Sequence, residues 1–137
     1  MLRPDVTIEA LHARQKDTLP GHFGLRVTGL AEGRASAELP LQRWMLAPNG
    51  YLHAASVIAL ADTCAGFATL AHLPEGAKSF TTIELKSNFL GSMVEGTARC
   101  EAVAEHLGRN TQVWSATVYA PSGKAIALFR CTQMVLW

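Results

Sequence analysis

The 137-residue chain has no run of lysines or arginines that could neutralise a row of phosphates, and its formal net charge is only +1. Nucleic acid is therefore not an expected partner. Cysteine is scarce: Cys64, Cys100 and Cys131 are odd in number, widely spaced and without a CxxC pair. That scarcity argues against a disulfide frame or a zinc site, and it suits reduced thiols in a cytoplasmic protein. The five histidines are scattered too, so no metal site is expected. The longest uncharged apolar run stops at Asp62, short of the roughly 20 residues of a membrane span, and no membrane association is expected. Asp5 and Glu9 interrupt any signal-peptide pattern at the N-terminus. No repeat, low-complexity tract or linker divides the chain. Its length and its 49% hydrophobic content suit one domain, residues 1–137, built on one core.

What is present centres on residues 49–73. Gly50-Tyr51-Leu52-His53-Ala54-Ala55-Ser56 leads into Val57 to Ala71, where the one charge is Asp62. From His53 to Ala71 the composition predicts a helix: Ala and Leu are frequent, Pro is missing, and Gly66 is the only weak helix former. The segment is apolar on every face, so it is expected to be wrapped on all sides by protein. An ionised carboxylate buried there costs several kcal/mol or more unless paired, and otherwise its pKa climbs. Asp62 therefore needs a reason to be there.

Around this helix the chain reads as short strands. Val6 to Lys16 predicts an amphipathic helix stopped by Leu19-Pro20-Gly21. Leu25 and Val27, then Ala35, Ala37 and Leu39, alternate with polar residues and predict two strands, with Gly29 to Gly33 as the hairpin turn. After the stop at Leu73-Pro74-Glu75-Gly76, four longer strands follow: Ser79 to Leu90, Thr97 to Leu107, Thr111 to Ala120 and Lys124 to Leu136. The breaks between them are short, so the strands are expected to run antiparallel. Ala98, Cys100, Ala102 and Ala104 give the first strand after Gly96 a face of small residues on which a helix can sit close. The order β-β-α-β-β-β-β predicts an α+β fold, one antiparallel sheet curled around one long buried helix.

That order, with these residues, resembles the hot dog fold, and more narrowly the acyl-CoA thioesterases of the PaaI type. The resemblance spans roughly Phe23 to Val135. Its most specific part is Gly50-x-x-His53-Ala54-Ala55 followed by Asp62, similar to a G-x-x-H-G-G motif with an acid nine residues after the histidine. Thr82-Ile83-Glu84, Asn88-Phe89-Leu90 and Gly108-Arg109 also match. The chain departs from the pattern where Ala54 and Ala55 replace glycines, and where Ala47 replaces an Asn or Gln whose contact Asn49 is positioned to take over.

Geometry constrains the chemistry independently. Ala54 opens the helix, where backbone N–H groups lack helical partners and the macrodipole is positive; such an end can hold a developing oxyanion. Asp62 lies about 12 Å further along the axis, whereas a carboxylate acting on the same carbonyl carbon must approach it within about 3 Å. One chain cannot supply both groups to one atom. Two chains can, if a neighbour's helix runs antiparallel alongside.

By the resemblance, the Ala54 N–H polarises a thioester carbonyl, and Asp62 of a second chain acts as general base or as nucleophile. Thr82 helps orient the water, and His53 and Asn49 complete the catalytic set. Ala55, Phe67, Asn88 and Arg109 are the candidate substrate-binding residues, with Lys86 and Arg130 as further cations for phosphates. No cofactor is expected beyond the coenzyme A of the substrate. The expected partner is a second copy of the chain, a homodimer at minimum and a homotetramer if dimers pair. The expected activity is hydrolysis of a small or medium acyl-CoA, aromatic ones included. The competing expectations are an acyl-CoA-binding protein without turnover, motivated by Ala54-Ala55 and Ala47, and an acyl-thioester hydratase or dehydratase using a histidine such as His22.

Overall fold

The computed structural model describes residues 1–137. Two short helices come first, α1 (Ile8–Gln15) and α2 (Leu19–Phe23). Thr7 caps α1 by accepting the Ala10 N–H, and the apolar residue Leu11 is fully buried. Strands β1 (Arg26–Ala31) and β2 (Arg34–Pro40), a 3₁₀ turn (Arg43–Met45) and the long helix α3 (Ala54–Ala71) follow. The chain finishes with β3 (Ser79–Phe89), β4 (Thr97–Leu107), β5 (Thr111–Tyr119) and β6 (Ala125–Leu136).

All six strands form one antiparallel sheet in the order β1-β2-β4-β5-β6-β3. After α3 the chain therefore crosses to the far edge, where β3 pairs with the last strand. One face of the sheet curls around α3. Burial along β5 alternates strictly, as expected for a strand with one face on the core. Ala35, Ala37, Ala98, Cys100, Ala102 and Ala116 are all buried on that inner face, and their small size lets the helix lie close. Leu60, Ala61, Cys64, Ala65 and Ala68 form the helix stripe that fills the concavity, with Trp114 completely enclosed beside them. Each large apolar side chain buried this way contributes about 1.5–3 kcal/mol. Helix α3 is long and apolar enough to cross a membrane by length and composition; here its apolar character is used against its own sheet.

Two expectations need correction. Leu19-Pro20-Gly21 does not merely stop the first helix; it opens α2. Proline is tolerated in the first turn, where its missing N–H has no helical partner, and the left-handed Gly24 (φ +72°) ends the helix. Gly29 is not in the turn. It lies within β1 at a bulge between Val27 and Gly29, and Ala31 still pairs with Arg34. The wrapping of α3 on all sides by protein is not complete within one protomer. Ile58, Ala59, Asp62, Thr63, Gly66 and Leu70 form a half-buried stripe along one face. Strand β3 beside it is exposed over nearly its whole length.

Candidate active site

The start of α3 is held by the loop before it. The Met45 carbonyl accepts both the His53 N–H (3.0 Å) and the Ser56 hydroxyl (2.8 Å), and the Leu52 N–H reaches the Met93 carbonyl (2.9 Å). Between these anchors residues 47–51 make a tight turn. The Ala47 N–H bonds the Tyr51 carbonyl at 2.7 Å, and Gly50 takes φ +87°, a conformation that favours glycine. Asn49 Oδ1 accepts the Tyr51 N–H (3.2 Å), which leaves the side-chain NH2 as its free end.

His53 is the N-cap of α3, with its Nδ1 accepting the Ala55 N–H at 2.9 Å. The Ser56 and Val57 N–H groups go to the His53 carbonyl. Of the first-turn amides, Ala54 alone has no acceptor within the protein. A single unpaired donor thus stands at the positive end of an 18-residue helix. It opens into a groove of about 460 Å³, lined by Ala47, Asn49, His53 and Ala54 and flanked by the aromatic side chains of Tyr51 and Phe89. Sequence reasoning did not single out Tyr51 or Phe89 as site residues. The one available signal was that each is an aromatic residue next to a matched motif.

Asp62 lies about two turns further along α3, on the half-buried stripe. Its Oδ1 is buried and has no hydrogen-bond partner. Burial pushes its carboxyl above the ordinary aspartate range. Thr82 on β3 donates its hydroxyl proton to Gln133 Oε1 (2.8 Å), and Gln133 Nε2 contacts the Cys131 sulfur (3.3 Å). Burial, with the nearby Asp62 charge adding to it, raises the Cys131 thiol to about 11, so it is held protonated. Cys64 and Cys100 are equally buried.

One protomer therefore gathers Asn49, His53, Ala54 and Ala55 at one end of α3, with Asp62 about two turns along the helix and Thr82 on β3. The remaining expected site residues lie elsewhere. Phe67 packs beside Val6, Leu11 and Val27 under the N-terminal segment. Asn88 faces the outer side of the sheet with Glu84, Lys86 and Arg130. Arg109 lies over the Trp137 ring at 4.6 Å, on the β4–β5 turn near the C-terminal end of α3. His22 sits on α2 against Trp44 and does not line the groove. No group of three or more His, Cys, Asp or Glu side chains is arranged to hold a metal ion.

The family model of the thioesterase superfamily matches residues 49–127, from the turn before α3 into β6. The chain belongs to the thioesterase superfamily. Its fold is the hot dog, and acyl-thioester hydrolysis is its class of reaction. It is 32% identical over 132 residues to the proofreading thioesterase EntH of Klebsiella pneumoniae, covering 96% of each chain. Its structure is similar to that of a mutant of thioesterase PA1618 from Pseudomonas aeruginosa, with TM-score 0.93 and 27% identity over 98% of this chain and 97% of that one. Thioesterase HI1161 from Haemophilus influenzae is similar at TM-score 0.92 and 26% identity, over 98% and 94%. The Escherichia coli PaaI protein shares the fold at TM-score 0.81 and 20% identity, over 96% and 97%.

Proposed function

We propose that this thioesterase hydrolyses small or medium acyl-CoA substrates, aromatic acyl groups included, at a site shared by two protomers. The observation that carries the reading is a complementary pair of deficits. Ala54 offers the one unpaired amide of the helix start to an apolar groove, while Asp62 is an unpartnered acid about 12 Å away. A second copy with its α3 antiparallel brings each deficit to the other. The half-buried stripe of α3 and the apolar side chains of β3 (Ile83, Leu85 and Phe89) are the surface such a copy would cover. A homodimer is thus the smallest working unit, and dimers pair into a homotetramer.

In this scheme the thioester carbonyl oxygen rests on the Ala54 N–H of one chain. Asp62 of the partner subunit, made more basic by burial, takes a proton from water as the water oxygen attacks the carbonyl carbon. The C–S bond then breaks, and the coenzyme A thiolate leaves and recovers that proton. A thioester has little resonance to overcome, so one base and one oxyanion donor suffice, with no cofactor beyond the substrate's own coenzyme A. The buried, reduced thiols suit a cytoplasmic setting.

A panel of acyl-CoAs assayed with wild type and Asp62→Asn tests the reading. Turnover on small or aromatic members is expected for wild type, with a loss of about 10²–10⁴ in kcat for the variant. A folded Asp62→Asn enzyme of unchanged turnover would refute the assignment. Tight binding of the panel without turnover by wild type would favour a binding protein instead.

A further inference from the structure

Gln133 on β6 is completely buried, directly opposite Thr82 of β3. Its two ends are both engaged: Oε1 accepts the Thr82 hydroxyl proton and Nε2 donates to Cys131. The neighbouring Gln112 is committed elsewhere, to the His72 carbonyl and the Trp114 indole N–H. A threonine hydroxyl has one proton. With that proton held inward by Gln133, the exposed side of Thr82 Oγ1 can only accept.

Thr82 also lies on the strand that packs along this part of α3. It shares a face of β3 with Phe80, whose ring lies 3.3 Å from where a Cβ on Gly66 would be. Gly66 is one turn past Asp62 on the same face of α3. Just after Thr82 a bulge interrupts the pairing of β3 with β6, an irregularity that re-aims side chains at this level. Burial first, and the Asp62 charge after it, raise the Cys131 thiol to which Gln133 donates.

We propose that Gln133 is a positioning residue for the hydrolytic water, acting by fixing the Thr82 hydroxyl as an acceptor. The inference rests on the reading of Asp62 as general base. An attacking water must hand one proton to the base while its second O–H is held, so that a lone pair points at the carbonyl carbon. Asp62 accepts the first O–H and Thr82 Oγ1 the second. Without Gln133 the hydroxyl is free to rotate and donate to Asp62, which competes with the water and stabilises the carboxylate.

Steady-state kinetics on benzoyl-CoA and hexanoyl-CoA across pH test this with Gln133→Met, Thr82→Val, Thr82→Ser and the Gln133→Met/Thr82→Val double variant. Gln133→Met is expected to lower kcat roughly ten- to a hundredfold with KM little changed. Its acid limb should also move to lower pH, a shift that a purely structural role would not produce. Thr82→Val should lose a similar factor without that shift, Thr82→Ser should recover most of the loss, and the double variant should be no worse than Thr82→Val alone. An unmoved acid limb in Gln133→Met, additive losses, or wild-type kcat in Thr82→Val would overturn the proposal. If Gln133→Met does not fold, Gln133→Asn, whose shorter amide cannot reach the Thr82 hydroxyl, is measured in its place with the same expected loss and acid-limb shift. Turnover that survives Asp62→Asn would remove the underlying reading and this proposal with it. An inactive Asp62→Asn beside unaffected Thr82 and Gln133 variants would remove this proposal alone.

Discussion

The role of Ala54 depends on its neighbour. Because His53 Nδ1 accepts a hydrogen bond from the Ala55 N–H, the helix start presents one unpaired amide rather than two. Replacing His53 with Ala should cost about 1 kcal/mol of stability, read from denaturant unfolding, as expected for loss of an N-cap. Asp62 makes a different prediction, because burial raises its carboxyl above the ordinary range. In the proposed mechanism the ionised form is the base, so kcat/KM should fall as pH drops through this raised value, above where an ordinary aspartate titrates. The effect on stability has the opposite sign. At neutral pH the folded protein holds a carboxylate that the unfolded chain solvates better. Asp62→Asn should therefore melt higher than wild type near pH 7, and the gain should shrink on acidification towards the unfolded-state value. Thermal melts at several pH values check this; a lower Tm for the variant at neutral pH would contradict it.

At the scale of elements, β3 carries the most consequence. It is a sheet edge with Ile83, Leu85 and Phe89 exposed, a surface that an isolated protein usually blunts. A lysine at Leu85 should convert the proposed oligomer to monomer in sedimentation experiments and abolish turnover with it, since each proposed site needs both chains. Most elements were legible in the sequence because Gly and Pro mark their ends and because alternation and all-round apolarity distinguish strand from helix. The exceptions have local causes. Pro20 reads as a stop, yet a first helical turn accommodates it, so α2 was missed. Gly29 reads as a turn, yet a bulge absorbs it into β1. The helix start and Asp62, the candidate acid, were visible as a motif and as an anomaly of charge. Gln133 was not, because its pairing with Thr82 exists only once β3 has crossed to the far edge beside β6. No local pattern encodes that neighbour.

At the scale of the whole molecule, the half-covered helix and the exposed edge strand offer one protomer's face to a second copy, and the proposed mechanism needs that copy because Ala54 and Asp62 are far apart along α3. The measurement that tests this most directly is complementation between two inactive variants. Ala54→Pro removes the amide donor at a helix position that accepts proline, and His53 before it already has the extended backbone that a following proline requires. Asp62→Asn removes the base. Each homodimer should be inactive. Co-expressed in equal amounts, the two chains form mixed dimers in which one site carries both defects and the other carries neither. About a quarter of the wild-type activity should then return, half of the dimers each with one of two sites intact. Mixtures that form heterodimers yet stay inactive would contradict a site built from Ala54 of one chain and Asp62 of the other.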